Sequence, residues 1–240
     1  MWEEVQGPKP LDKKAFSSTM RNGGGRRAPF REYASSQEAT LPDLADLCAE
    51  IVVCEKCGLA EGRNLAVPGE GPEDARIMFI GEAPGYHENR LGRPFVGAAG
   101  KFLEQLLASI NMRREDVYIC NVIKCRPPNN RDPLRLEIEA CRPYLDRQIE
   151  LIRPHLIVTL GRYSMARYLP KVSISRSHGA PVRVGDVVVL PMFHPAAALH
   201  QPKYKSYIEQ DFLKIPKILA ELDRFPETRL GQQAEQLTLF

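Results

Sequence analysis

Four short apolar runs, separated by stripes with helical spacing, limit the folds open to this chain more than any other feature. Ala75–Gly81 (ARIMFIG), Val117–Lys124 (VYICNVIK), Leu156–Gly161 (LIVTLG) and Val187–Phe193 (VVVLPMF) are continuous rather than alternating in hydrophobicity. Such runs read as strands buried on both faces. Leu41–Val53 precedes the first run as a helix, with Leu41, Leu44, Leu47, Cys48 and Ile51 at three- and four-residue steps. Ala99–Ile110 places Phe102, Leu103, Leu106, Leu107 and Ile110 on one face. Leu134–Ile152 predicts a long helix, Gly161 opens a short one, and Lys205–Leu222 reads as a final helix. Strand and helix in alternation predict an α/β fold, a three-layer sandwich around a central four-stranded parallel sheet. Ligands of such sheets bind beyond the carboxyl ends of the strands. The polar residues there are Glu82, Asn121 and His194.

Charge and hydropathy exclude other classes. No run of eighteen apolar residues exists, so no membrane helix is expected. The opening MWEEVQGPKPLDKK lacks the apolar stretch of a secretory signal. The net charge of +3, from 33 Lys and Arg against 30 Asp and Glu, permits nucleic-acid binding without demanding it. Residues 1–40 hold Gly23-Gly24-Gly25, Ser pairs and unpatterned aromatics, and read as a disordered extension. The folded domain is expected over 41–223, and 224–240 as a flexible tail.

Six cysteines in a chain without an export signal point to metal or catalysis rather than to a disulfide framework. Cys54 and Cys57 form C-x2-C after the first helix. Cys125 ends the second apolar run, and Cys141 sits on the long helix. Four thiolates fit a tetrahedral zinc or a [4Fe–4S] cluster, and spacing alone does not choose between them. Cys48 and Cys120 read as buried structural thiols.

Gly81-Glu-Ala-Pro-Gly85 lacks the spacing of a P-loop or of a dinucleotide fingerprint, which disfavours a nucleotide cofactor. Phe95, in a Gly-rich stretch, is either a core aromatic or a stacking platform for a planar ligand. His194 precedes Pro195, a position that avoids the helical region, so no helix is expected to start at His194 and its ring is expected in the cleft. Asn121 offers a donor and an acceptor, which suits one edge of a pyrimidine.

Cys54-x2-Cys57, Gly81-Glu-Ala-Pro-Gly85, Gly92-Arg-Pro-Phe-Val-Gly97, Asn121-Val-Ile-Lys-Cys125-Arg-Pro-Pro, Cys141-Arg-Pro-Tyr and His194-Pro-Ala-Ala, in this order, resemble the family 4, iron–sulfur uracil-DNA glycosylases. The resemblance implies removal of uracil from DNA by hydrolysis of the N-glycosidic bond, after the nucleotide is flipped into a pocket. It makes Phe95 the residue that stacks on uracil, Asn121 the reader of its edge, and His194 the donor to its O2 side. Glu82 and the Ala83 amide line the sugar side, with Glu82 positioning water. Glu88 crowds the thymine methyl. Ala83 stands where many uracil glycosylases carry Asp, which leaves open a uracil-DNA binding or damage-sensing protein with little turnover. A zinc-stabilised nucleic-acid module without activity is a further alternative.

In the same resemblance Leu199 wedges into the minor groove, and Lys203 and Lys205 touch phosphates. Arg126 and Arg142 are further phosphate candidates. His200 and His178 stand where Arg is usual. Cys54, Cys57, Cys125 and Cys141 hold a structural [4Fe–4S] cluster. The chain's last residues, Gln236, Leu237, Thr238, Leu239 and Phe240, resemble the bacterial sliding-clamp binding motif, a segment with two apolar anchors. A cytoplasmic, nucleoid-associated monomer is the corresponding expectation.

Overall fold

The computed structural model describes residues 43–224. The expected extension 1–40 and the clamp-like residues Gln236, Leu237, Leu239 and Phe240 lie outside them. The elements in chain order are α1 (Leu44–Val52), β1 (Ile77–Gly81), α2 (Tyr86–Leu91), α3 (Ala98–Ser109), β2 (Tyr118–Asn121), α4 (Arg135–Ile152) and β3 (Leu156–Leu160). There follow α5 (Arg162–Ala166), α6 (Ile174–Ser177), β4 (Val182–Val184), β5 (Val187–Met192), α7 (Pro195–His200), α8 (Pro202–Phe212) and α9 (Ile215–Arg224). Among the described residues no helix is long and apolar enough to cross a membrane.

The sheet has five strands in the order β2-β1-β3-β5-β4, not the expected four. The strands β2, β1, β3 and β5 are parallel, as expected, and β4 adds an antiparallel edge. The sequence hides β4 because it is short and half-buried on both sides, without an apolar run. Strand β1 shows how the layers form. Ile77 and Phe79 enter one core with α3, α8 and α9, while Met78 and Ile80 enter the other with α1 and α4. Successive side chains point to opposite faces, so a fully apolar strand is needed to fill both cores. Phe79 stacks on Phe212 of α8 at 5.6 Å between ring centres.

Two boundaries differ from the sequence reading. Strand β2 stops at Asn121, and Val122 to Cys125 continue as a buried turn whose amides bond back to the loop after β1 (Ile123 N to Glu82 O, 3.2 Å). The final helix is broken at Leu213–Lys214 into α8 and α9. A helix begins at Pro195, one residue after the position expected to stay out of the helical region. His194 keeps the extended backbone that a residue before Pro requires (φ −65°, ψ 135°) and serves as the N-cap of α7, with Pro195 at the first helical position.

Candidate active site

The carboxyl ends of β1, β2 and β5 open into a cavity of about 360 Å³, lined by Glu82, Ala83, Glu88, Phe95, Asn121 and His194 among others. That volume lies within the range of small-molecule pockets. Gly81 pairs with Asn121 in register, which sets the Asn121 side chain at the mouth of the sheet. Gly81 is required there for space. A Cβ on it would lie 2.4 Å from Asn121 Oδ1 and 2.6 Å from Phe95 Cζ. The missing side chain lets the Phe95 ring and the Asn121 amide come together at the cavity wall.

Phe95 has a left-handed backbone (φ 51°). For a residue other than glycine that conformation is strained and persists only when its surroundings hold it. Two devices do so. Arg114 donates to the carbonyls of Phe95 (2.9 Å) and Pro94, and its own side chain is 9% exposed. Glu70 accepts from Arg114 and from Arg93 (2.8 and 2.9 Å). Burial alone would raise the Glu70 carboxyl, but the hydrogen bonds from Arg93 and Arg114 outweigh it and hold the group below its ordinary value. The second device is Glu88. Its carboxylate accepts from Gly85 N (3.1 Å), Val96 N (2.9 Å) and Gly97 N (2.9 Å), joining α2 to the loop that carries Phe95. Gly100 completes the fit, because a Cβ there would lie 1.9 Å from the Phe95 oxygen.

His194 stacks beside Phe95, with ring centres 5.5 Å apart. Desolvation pushes its pKa down to about 4, against a smaller opposing effect of Glu88. The ring is therefore neutral at neutral pH. Its Nδ1 accepts from Ala196 N at 3.1 Å, so the single ring hydrogen belongs on Nε2. The site thus contains a neutral donor. Glu82 is pushed up by burial and then by Asp132, against a smaller effect of Arg162. A raised carboxyl and a neutral imidazole in one cleft are what acid–base or electrostatic catalysis requires.

Lys124 is 1% exposed. Its Nζ donates to Asn121 O (2.9 Å) and Gln148 Oε1 (2.6 Å), and Gln148 Nε2 donates to Pro68 O (2.9 Å) and to Tyr118 Oη (3.0 Å). The chain around Asn121 is thereby fixed from below.

The cysteines gather on the other side of this turn. Cys54, Cys57, Cys125 and Cys141 line one small cavity with Ile51, Leu59, Arg63 and Tyr144. Their sulfurs accept hydrogen bonds from Lys56 N to Cys54 (3.5 Å), Arg63 Nη1 to Cys125 (3.4 Å) and Lys124 N to Cys141 (3.3 Å). Arg63 also donates to the carbonyls of Cys54 and of Val52 (3.0 Å), tying α1 to the turn after β2. Burial pushes the Cys125 thiol up, and Cys141 to about 11. Among the described residues, no group of three or more His, Cys, Asp or Glu is placed to hold a metal ion.

Of the remaining sequence candidates, Leu199 is 51% exposed on α7, and Lys203 lies in the first turn of α8 with its ammonium 5.1 Å from the Tyr204 ring centre. Arg142 pairs with Asp146, and Lys205 with Glu209. His178 accepts the company of Asp211 (2.7 Å) and Phe193 rather than facing the cavity lining. Sequence reasoning missed Arg114, Arg63, Lys124 and the spatial role of Gly81. Only Gly81 carried a signal, as the glycine that ends an apolar run.

A mostly parallel sheet with Asn121 and His194 at its strand ends, and Phe95 on the loop beside them, defines an α/β protein with its cleft at the carboxyl edge of the sheet. The family model described as "Uracil DNA glycosylase superfamily" matches residues 68–214, which include every one of those groups. The type-4 uracil-DNA glycosylase of Saccharolobus solfataricus is 48% identical over 198 residues, 76% of this chain and 92% of the relative. That of Archaeoglobus fulgidus is 48% identical over 188 residues, 74% of this chain and 94% of the relative. The Thermotoga maritima protein of the same name is 47% identical over 164 residues, 67% and 85% respectively. The chain belongs to the uracil DNA glycosylase superfamily and, within it, to the type-4 uracil-DNA glycosylases.

Proposed function

We propose that this protein excises uracil from DNA and so initiates base excision repair. The observation that carries the reading is the convergence of Phe95, Asn121 and His194 on one cavity in a member of this family. Uracil enters the cavity after leaving the base stack. Phe95 takes one face of the ring, and Asn121 takes its hydrogen-bonding edge. His194 donates from Nε2 to the uracil O2. As the glycosidic bond breaks, its electron pair passes to uracil N1 and charge spreads onto O2. A preorganised neutral donor stabilises that charge without having to lose a proton. Water supplies the hydroxyl to C1′, and Glu82 orients that water and takes up its proton. Glu88 borders the ring edge where thymine carries its methyl. Leu199 fills the vacated stack, and Lys203 meets a phosphate.

The four cysteines are proposed to hold a [4Fe–4S] cluster. Four sulfurs around a shared, apolar-walled cavity, each of three with an N–H donor, suit a thiolate cluster. The cluster would act as a staple joining α1, the Cys125 turn and α4. The proposed domain spans 41–223, with the Gln236–Phe240 motif serving a sliding clamp.

The test is strand cleavage. Protein with its metal content measured meets an end-labelled oligonucleotide with one uracil, followed by alkali. Cleavage at uracil and not at a matched thymine is expected. Retained DNA without cleavage would instead support the binding-only alternative that Ala83 leaves open.

A further inference from the structure

We propose that Tyr86, flanked by Arg90 and Arg126, is a stacking platform for an unpaired base adjacent to the flipped uracil in the same DNA strand. The inference rests on the uracil-DNA reading and adds a subsite to it.

Tyr86 is a large aromatic residue left 50% exposed, and it opens a helix of only six residues. It is not among the cavity-lining residues, yet it follows Gly85, which is. Two guanidinium groups face the ring, Arg126 at 5.3 Å and Arg90 at 5.7 Å from its centre. Arg126 precedes Pro127, which lines the cavity, and its Nε donates to Asn130 Oδ1 at 2.7 Å, another lining residue. An aromatic face and two cations are thus fastened to the lip of the pocket, and nothing within the pocket uses them.

Strand order fixes on which side they lie. Tyr86 and Arg126 follow β1 and β2, at one end of the sheet, whereas α7 with Leu199 follows β5, on the far side of β3. A strand crossing the pocket therefore runs from the α7 wedge at one end to Tyr86 at the other. Every base has a π-face, so an exposed ring accepts any base without reading it. Both guanidinium groups stand close to the outer limit of a cation–π contact, and a base outcompetes them for the ring. The arginines are then free to pair with the flanking phosphates. A base inside a duplex already has both faces covered, so the platform favours single-stranded substrate.

The experiment uses the full chain and a single-stranded oligonucleotide carrying 2′-fluoro-deoxyuridine, which resists excision, next to 2-aminopurine. Separate oligonucleotides place the fluorophore on the 5′ and the 3′ side. Stacking on Tyr86 quenches 2-aminopurine from one side. Quenching is expected with the unsubstituted protein and with Y86F, and its loss with Y86A. In excision from ordinary uracil oligonucleotides, Y86A is expected to raise KM on single strands by about ten- to a hundredfold, with a smaller rise on duplex. Equal quenching and equal KM for Y86A and the unsubstituted protein overturn the platform while leaving the activity standing. No excision by the unsubstituted protein overturns the activity reading and the platform with it.

Discussion

At the scale of single residues, the proposed chemistry rests on what His194 is not: it is not charged. Its pKa of about 4 lies below the ordinary value of 6.5, so the unfolded chain binds a proton between those values that the folded protein refuses. Folding stability attributable to this group is complete above pH 6.5 and is lost as pH falls toward 4, by about 3 kcal/mol in all. Urea midpoints followed from pH 7 to pH 4 should therefore fall more steeply for the unsubstituted protein than for H194Q. The same neutrality predicts that excision does not inflect near pH 6.5. The acid limb should follow Glu82, above the ordinary carboxylate range, and E82Q should remove it. Gly81 makes a steric prediction. G81A should lower kcat/KM on uracil DNA by at least about tenfold, because Asn121 and Phe95 must separate. An equal kcat/KM for G81A and the unsubstituted protein would refute it.

At the scale of elements, the loop that carries Phe95 is held by groups from three directions: Glu88 on α2, Arg114 before β2 and Gly100 on α3. E88Q keeps the shape but weakens three charge-assisted bonds, and should cost about 2 kcal/mol in urea unfolding. KM for uracil DNA should rise with it, since Phe95 loses its enforced backbone. Much of this level was legible in the sequence. Continuous apolar runs gave the parallel strands, and the stripes of α3 and α4 were visible from their spacing. What escaped was short or half-buried. β4 is three residues long, α2 and α7 are six each, and none repeats a period long enough to detect. Within the site, the motif residues Glu82, Asn121 and His194 could be placed at strand ends from pattern alone. Arg114 and Lys124 could not, because a buried cation looks like a surface one until its carbonyl partners are known.

At the scale of the whole molecule, the four cysteines come from segments far apart in sequence and line one cavity. C57S is expected to abolish the broad absorbance near 400 nm and to lower the unfolding temperature. A colourless unsubstituted protein containing one zinc would overturn the cluster. Removing 236–240 should abolish capture by an immobilised sliding clamp while uracil excision proceeds, and retained capture would sink that reading. The turn from Asn121 to Cys125 serves both sites at once. Asn121 lines the cavity, Cys125 faces the other thiols, and Lys124 between them bonds to Asn121 O with its side chain and to Cys141 with its amide.

The close approach of Asn121 and Phe95 over Gly81 has an evolutionary consequence. Under the proposed activity, a lineage drifting toward another damaged base is constrained at Gly81, because a side chain there meets Asn121 and Phe95 before it meets the ligand. New specificity must enter elsewhere in the lining, at Glu88 or Asn121, while Gly81 stays fixed.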